Sequence, residues 1–290
     1  MPFTLSHAAA VLPGIRRTGR GRGPLVASAL VAGSFAPDLT YFAASVVPGA
    51  MSFGVFTHSL LGVVTVDALF TALLVAVWLL LREPLVGLLP AARRGPVYAA
   101  ARGEDWRGRS PVALALRFYP CAVVGSLTHV VWDSFTHHDR WGTDAFPVLN
   151  RTVAGEPLYF HLQYGGSALA LLVLGRFLYG AVRLRRGTPP PEPDGTGVGA
   201  VPPAAGRAER LLCLGLLAVG AVLGAVQRLL LWLSYDPPVS GPLDAVPALC
   251  FGAGCGLGAA LLVFAAVVRV RHARRVARER RRSPAFAGRS

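Results

Sequence analysis

The residues of this chain best suited to chemistry fall in one run, Thr128-His129-Val130-Val131-Trp132-Asp133-Ser134-Phe135-Thr136-His137-His138. His129, Asp133 and His137 are spaced four apart, so on a helix they would stack along one face, within reach of one metal ion or of two neighbouring ones. The same chain carries Ser6-His7, Pro37-Asp38 and Thr57-His58-Ser59. Imidazole and carboxylate are the ligands of zinc and related divalent ions. Such an ion lowers the pKa of its bound water toward ~7, and a carboxylate can then take the proton. His7, Asp38, His58, His129, Asp133 and His137 are therefore the candidate metal ligands, enough for one or two ions. Asp38 and Asp133 are the candidates for the catalytic base.

The elements that must position these residues are apolar. The chain has 290 residues, 53% of them hydrophobic and only 15% charged, against roughly 25% charged in a soluble domain. Residues 59–81, 111–132, 165–182 and 211–234 each contain a single charge, and 245–268 contain none. Each is long enough to cross a bilayer, which takes about 20 apolar residues. A sixth stretch, 25–47, is interrupted by Pro37-Asp38 and either spans or re-enters. The fold class expected is all-α, a polytopic helical membrane protein with five to six transmembrane helices and a short N-terminal helix over residues 1–13, capped by Thr4 or Ser6.

The net charge is +14, with no lysine. Nucleic acid is one partner such a balance suggests, but the distribution argues against it. The loops 82–110 and 183–210 sum to +3 and +2 and the tail 269–290 to +8, whereas 133–164 and 235–244 each sum to −2. This alternation is the positive-inside pattern. It places the C-terminus in the cytoplasm of a multi-pass cell-membrane protein whose main partner is the lipid bilayer. The Arg16-Arg17…Arg20…Arg22 cluster belongs inside as well, which favours residues 25–47 crossing and gives six helices with both ends in the cytoplasm. His58, His129, Asp133 and His137 then meet at the outer face. His7 joins them only if the N-terminal helix is embedded or 25–47 is re-entrant.

The stretch 183–210 is rich in proline and glycine and reads as a linker. It divides a membrane-embedded unit, 1–182, from a two-helix unit, 211–270, with an arginine-rich tail at 271–290. In the two-helix unit Gly252 and Gly256, Gly254 and Gly258, and Gly220 and Gly224 recur at four-residue spacing. They suit close helix packing within the chain or an oligomer through Gly252 and Gly256. Asp67 lies inside an apolar helix, where a charge is normally paired or functional; Arg176 or Arg228 is its expected partner, and a transport path through Asp67 and Arg176 is a weaker alternative. Helical phase places Asp67 opposite His58. Cys121, Cys213, Cys250 and Cys255 read as small buried residues, and His138, His161 and His272 as interfacial ones.

Pro2-Phe3-Thr4-Leu5-Ser6-His7, Ala36-Pro37-Asp38, Thr57-His58-Ser59 and His129-x-x-x-Asp133-x-x-x-His137 together resemble an uncharacterised "domain of unknown function" family of bacterial integral membrane proteins. That family resembles membrane-bound metal-dependent hydrolases and, more distantly, the zinc-dependent phospholipase C and nuclease superfamily. The resemblance implies that Asp38, His58, His129, Asp133 and His137 hold zinc, with His7 standing for an N-terminal ligand. It departs from the superfamily in lacking His-x-x-x-Glu: four residues after His161 stands Gly165. The implied activity is metal-dependent hydrolysis at the outer face of a phosphodiester or lipid-like substrate, with the loop 139–164 and its Trp141, Asn150, Arg151, Glu156 and Tyr159 as the lip. The alternative is a non-catalytic membrane protein in which the same cluster is a structural metal site or a polar knot.

Overall fold

The computed structural model describes residues 3–103, 106, 110–185, 204–235 and 241–282. Twelve α-helices appear among them: α1 (Ala8–Val11), α2 (Ala27–Gly33), α3 (Leu39–Ala43), α4 (Ala50–Thr57), α5 (Leu60–Val64), α6 (Val66–Gly87), α7 (Ala91–Arg102), α8 (Pro111–Thr136), α9 (Trp141–Ala145), α10 (Leu158–Leu184), α11 (Arg207–Leu233) and α12 (Val246–Arg282). The only sheet among them is a two-residue hairpin, Thr152–Val153 against Glu156–Pro157, turned by Ala154 and Gly155 at positive φ. Most of the proposed linker and the end of the tail lie outside the described residues.

Five helices are long and apolar enough to cross a membrane: Val66–Gly87, Pro111–Thr136, Leu158–Leu184, Arg207–Leu233 and Leu243–Arg271. The chain is a helical, multi-pass membrane protein by these criteria. Large apolar side chains such as Leu69, Leu116, Leu172 and Leu223 are exposed on the spans, as a lipid-facing surface requires.

The sixth candidate is not a single helix. α2 ends at Gly33, a 3-10 turn covers Ala36–Asp38, and α3 resumes at Leu39. Pro37 has no N–H to continue the ladder, and the carbonyls released at the break find other donors. The Thr57 hydroxyl donates to the Pro37 carbonyl at 2.8 Å, and His129 Nδ1 lies 2.8 Å from the Ser34 carbonyl. In a membrane interior such satisfaction is obligatory.

α2 runs alongside α8 in the same direction. The Val26 N–H meets Cys121 Sγ at 3.2 Å, the Ser126 hydroxyl donates to the Gly33 carbonyl at 3.1 Å, and Ser34 reaches His129. Glycine is required on both sides of this seam: a Cβ on Gly33 would meet the Ala122 carbonyl, and one on Gly125 the Leu30 carbonyl and the Ser34 nitrogen.

The N-terminal segment and α2 form a hairpin in place of a sixth long helix. Phe3 packs edge-on against Tyr164 with ring centroids 5.6 Å apart, Ser6 meets Ser167, and Arg185 donates to the Thr18 carbonyl at 2.9 Å. Residues 3–18 thus descend along α10, turn through Arg16–Arg22, and return as α2. The arginine turn therefore sits at the Arg185 end of the bundle, while residues 3–7 stand toward the other end. The expected caps are also absent: Thr4 and Ser6 lie inside the first 3-10 turn, and no side chain caps it. Arg269, on α12, faces Glu83 at 3.6 Å, so the basic segments of α6 and α12 share one end as well.

α11 and α12 pack against each other. Gly220 and Gly224 face Gly256 and Gly252 backbone to backbone, and Gly254 receives the Phe42 ring. The four-residue glycine spacing thus serves a contact within the chain.

Candidate metal centre

Four elements deliver the site. The break at Pro37 turns Asp38 inward. His58 occupies the C-terminal cap of α4, where the helix ends before Ser59 starts α5. His129 and Asp133 lie one turn apart on the buried face of α8. Asp38 and His129 are fully buried, Asp133 is 3% exposed and His58 7%.

One ligand atom from each of these four residues lies within 4.8 Å of the others, so the group could hold a metal ion. His129 Nε2 is 3.4 Å from both Asp38 Oδ1 and Asp133 Oδ2, and His58 Nε2 is 3.6 Å from the same two oxygens. These separations exceed a hydrogen bond's 2.7–3.2 Å. They match the edge of a tetrahedron with bonds of about 2.1 Å, which is about 3.4 Å.

The second contacts set the tautomers. His129 Nδ1 donates to the Ser34 carbonyl at 2.8 Å and His58 Nδ1 to the Gly54 carbonyl at 2.9 Å. In the neutral ring each Nε2 is thereby left as a lone pair aimed at the carboxylates. His58 Nε2, His129 Nε2 and Asp38 Oδ1 are buried without a hydrogen-bond partner, as are His7 Nε2 and Asp133 Oδ1. Buried polar atoms are rarely left so, and two imidazole lone pairs facing two carboxylate oxygens describe the donor set of a divalent cation. Asp38 Oδ2 accepts the Thr4 hydroxyl at 2.5 Å.

His7 and His137 flank the open side of Asp133. His7 stacks on His129, ring centroids 3.6 Å apart and 13° from parallel, with its Nε2 3.5 Å from Asp133 Oδ1. Its burial, reinforced by His129, brings its pKa down to about 3, so it is neutral. His137 leaves the helix at its C-cap, so the expected three-residue stack on α8 stops at Asp133. Its Nδ1 lies 3.2 Å from the Asp133 carbonyl and 3.8 Å from Asp133 Oδ1, while Gln163 Nε2 contacts its Nε2 at 3.0 Å. The His137 side chain is 25% exposed and gives the cluster its edge toward solvent. His58 is pushed down by burial, but Asp133 and Asp38 outweigh this and hold its pKa above the ordinary value.

Other expectations separate from the site. Asp67 is fully buried with no hydrogen-bond partner for either oxygen. It pairs with neither expected arginine: Arg228 donates to the Ala44 carbonyl at 2.6 Å and contacts Met51 Sδ at 3.6 Å, and no ion pair joins Asp67 to Arg176 among the described residues. The phase argument fails too, because Ser59 and Thr65 are extended or irregular and interrupt the helix between His58 and Asp67. His161 Nε2 meets the Val153 carbonyl at 2.7 Å and steadies the hairpin, and His138 pairs with Asp139 on the surface. The side chain of His272 lies outside the described residues. In the lip, Asn150 donates to the Thr143 carbonyl at 3.0 Å. Thr4, Gln163 and the Ser34 and Gly54 carbonyls escaped the sequence reading, because hydroxyls, amides and carbonyls carry no spacing signature.

The chain belongs to the family described as Domain of unknown function (DUF4184), whose model matches residues 1–268. No curated protein and no solved structure matches it.

Proposed function

We propose that this chain is a membrane-embedded, metal-dependent hydrolase with zinc held by Asp38 Oδ1, His58 Nε2, His129 Nε2 and Asp133 Oδ2. The observation that carries the reading is the convergence of these four buried atoms, at 3.4–3.6 Å across each His–Asp pair, longer than a hydrogen bond. With a water as a fifth ligand, zinc would supply a hydroxide at neutral pH and polarise the scissile bond.

The two aspartates divide their work. Asp38 has its second oxygen engaged by Thr4, which suits a pure ligand. Asp133 keeps Oδ1 outside the four-atom group, facing His7 and His137. Oδ1 is thus placed to take a proton from water, and His137, at the exposed edge, to pass it out. A phosphodiester or lipid-like substrate would approach from the His137 side, over the lip formed by residues 139–164, at the face opposite the arginine end.

A structural metal site is the second reading, favoured by the fact that all four ligands come from the protein and all are buried, as in closed zinc sites. Purified wild type, His7→Ala and His137→Ala should be assayed for bound metal and for cleavage of bis-p-nitrophenyl phosphate and of detergent-dispersed phospholipid. The hydrolase reading expects stoichiometric metal in all three and cleavage reduced about 10²-fold or more in the variants. Metal without any cleavage in the wild type would leave the structural site; wild type without metal would end both readings.

A further inference from the structure

A cavity of about 780 Å³ lies apart from the metal centre, between the N-terminal segment, α2, α6, α7 and α10. None of the six candidate ligands lines it. It begins at Ala8 and Phe35, passes between Val31, Val75 and Phe177, and ends at Tyr98 and Arg82. Trp78 and Leu178, which also line it, are 37% and 54% exposed on two spanning helices. The slot therefore opens sideways, toward lipid.

Its far end is charged and held in place. The Arg82 guanidinium lies 5.6 Å over the buried Tyr98 ring and reaches the Arg102 carbonyl at 3.5 Å. Arg82 and Arg269 share one acid: each lies 3.6 Å from a different oxygen of Glu83. Two cations on one carboxylate leave a net positive charge there, and Arg82 Nε is buried without a hydrogen-bond partner. The walls are hydrocarbon and the end is a guanidinium fork, the geometry that suits phosphate.

We propose that this slot holds one acyl chain of an anionic phospholipid, with its phosphate at Arg82. The volume falls within the roughly 300–1,000 Å³ of small-molecule sites, so the slot takes a chain and not a second protein. Charge selects the headgroup: a zwitterionic lipid would bring its own cation to an already cationic end. The binding is independent of the hydrolytic reading.

The test uses the full chain in detergent, titrated with phosphatidylglycerol or phosphatidylcholine carrying brominated chains, which quench tryptophan on contact. Saturable quenching is expected, tighter for phosphatidylglycerol by about fivefold, the value of one arginine near a surface phosphate. Trp78→Phe combined with Trp106→Phe, the two tryptophans that line the slot, should remove much of the quenching. Arg82→Gln should abolish the headgroup preference while leaving saturable quenching by phosphatidylcholine, which also shows that the variant is folded. Val31→Trp should block binding of both lipids. Equal affinity for the two lipids, a preference that survives Arg82→Gln, or thermal stabilisation by inorganic phosphate alone equal to that by the lipid would overturn the proposal. So would quenching unaffected by the paired Trp78→Phe and Trp106→Phe, which needs no bulky substitution.

Discussion

Removing the metal tests the centre most directly, and the structure sets the size of the effect. Without a cation, and at a pH where both imidazoles are neutral, Asp38 and Asp133 present oxygens no more than 4.8 Å apart in a buried site. Two unit charges at that distance repel by about 3.5 kcal/mol at an effective dielectric of 20. A divalent ion cancels that repulsion, and an ion at a hundred times its Kd adds about 2.7 kcal/mol by mass action, a figure of the same size. For a chain of this length, each kcal/mol moves the unfolding midpoint by roughly 2–4 °C. Chelation should therefore lower the midpoint of the wild type by about 6–12 °C, and added zinc should restore it. Asp133→Asn removes a ligand, and His129→Ala removes another; in both, the midpoint should no longer respond to chelator or zinc. Thermal unfolding in detergent, read beside metal content by mass spectrometry, makes the measurement. A wild type with no stoichiometric metal and an unmoved midpoint would refute the reasoning, because the unpartnered Asp38 Oδ1, His58 Nε2 and His129 Nε2 would then need another explanation.

Further outcomes follow from the same geometry. Protons compete with the ion for both imidazoles, so metal-linked stability should be present at neutral pH and lost as pH falls. His58, held above its ordinary pKa by Asp133 and Asp38, should enter that competition at a higher pH than an ordinary imidazole, and a zinc titration across pH 5–8 would show affinity falling by up to about a hundredfold per unit where both rings protonate. A flat profile would exclude histidine ligation. Thr4→Val removes the hydroxyl on Asp38 Oδ2, and zinc affinity should drop about 10–100-fold, as for other outer contacts of ligands. Gly125→Val places a side chain against the Leu30 carbonyl and the Ser34 nitrogen. It should cost about 1–3 kcal/mol by overpacking and weaken zinc binding by moving Ser34 off His129, whereas Gly215→Val, which meets nothing within 4 Å, should do neither.

The fold was legible where composition alone decides. The five long apolar stretches and the helix carrying His129 and Asp133 needed only length, hydropathy and a four-residue spacing. The site's other members depended on breaks, which periodicity cannot foresee. Asp38 faces inward because Pro37 interrupts the segment and Thr57 answers its carbonyl. His137 leaves the expected stack because α8 stops one residue before it. His7 was the hardest case, since the arginine cluster and the histidine made opposite demands. Arg16–Arg22 required one end of the bundle, and His7 required the other. A chain read as starting beside its basic loop cannot meet both. The structure does so with a hairpin. Residues 3–18 run the length of α10 from Tyr164 to Arg185, which separates His7 from the arginine turn, and α2 then climbs back along α8 to bring Asp38 to the same point. The N-terminal segment thus contributes Thr4 and His7 and starts the strand of chain that ends in Asp38. It buries the site it helps to build, and this ties assembly of the centre to the docking of the first forty residues: a truncation that removes residues 1–7 should leave the four ligands in the chain and still loosen the metal, by the loss of the Thr4 hydroxyl and of the ring stacked on His129. If such a truncation bound zinc as tightly as the full chain, the N-terminal segment would be a cover and not a part of the centre.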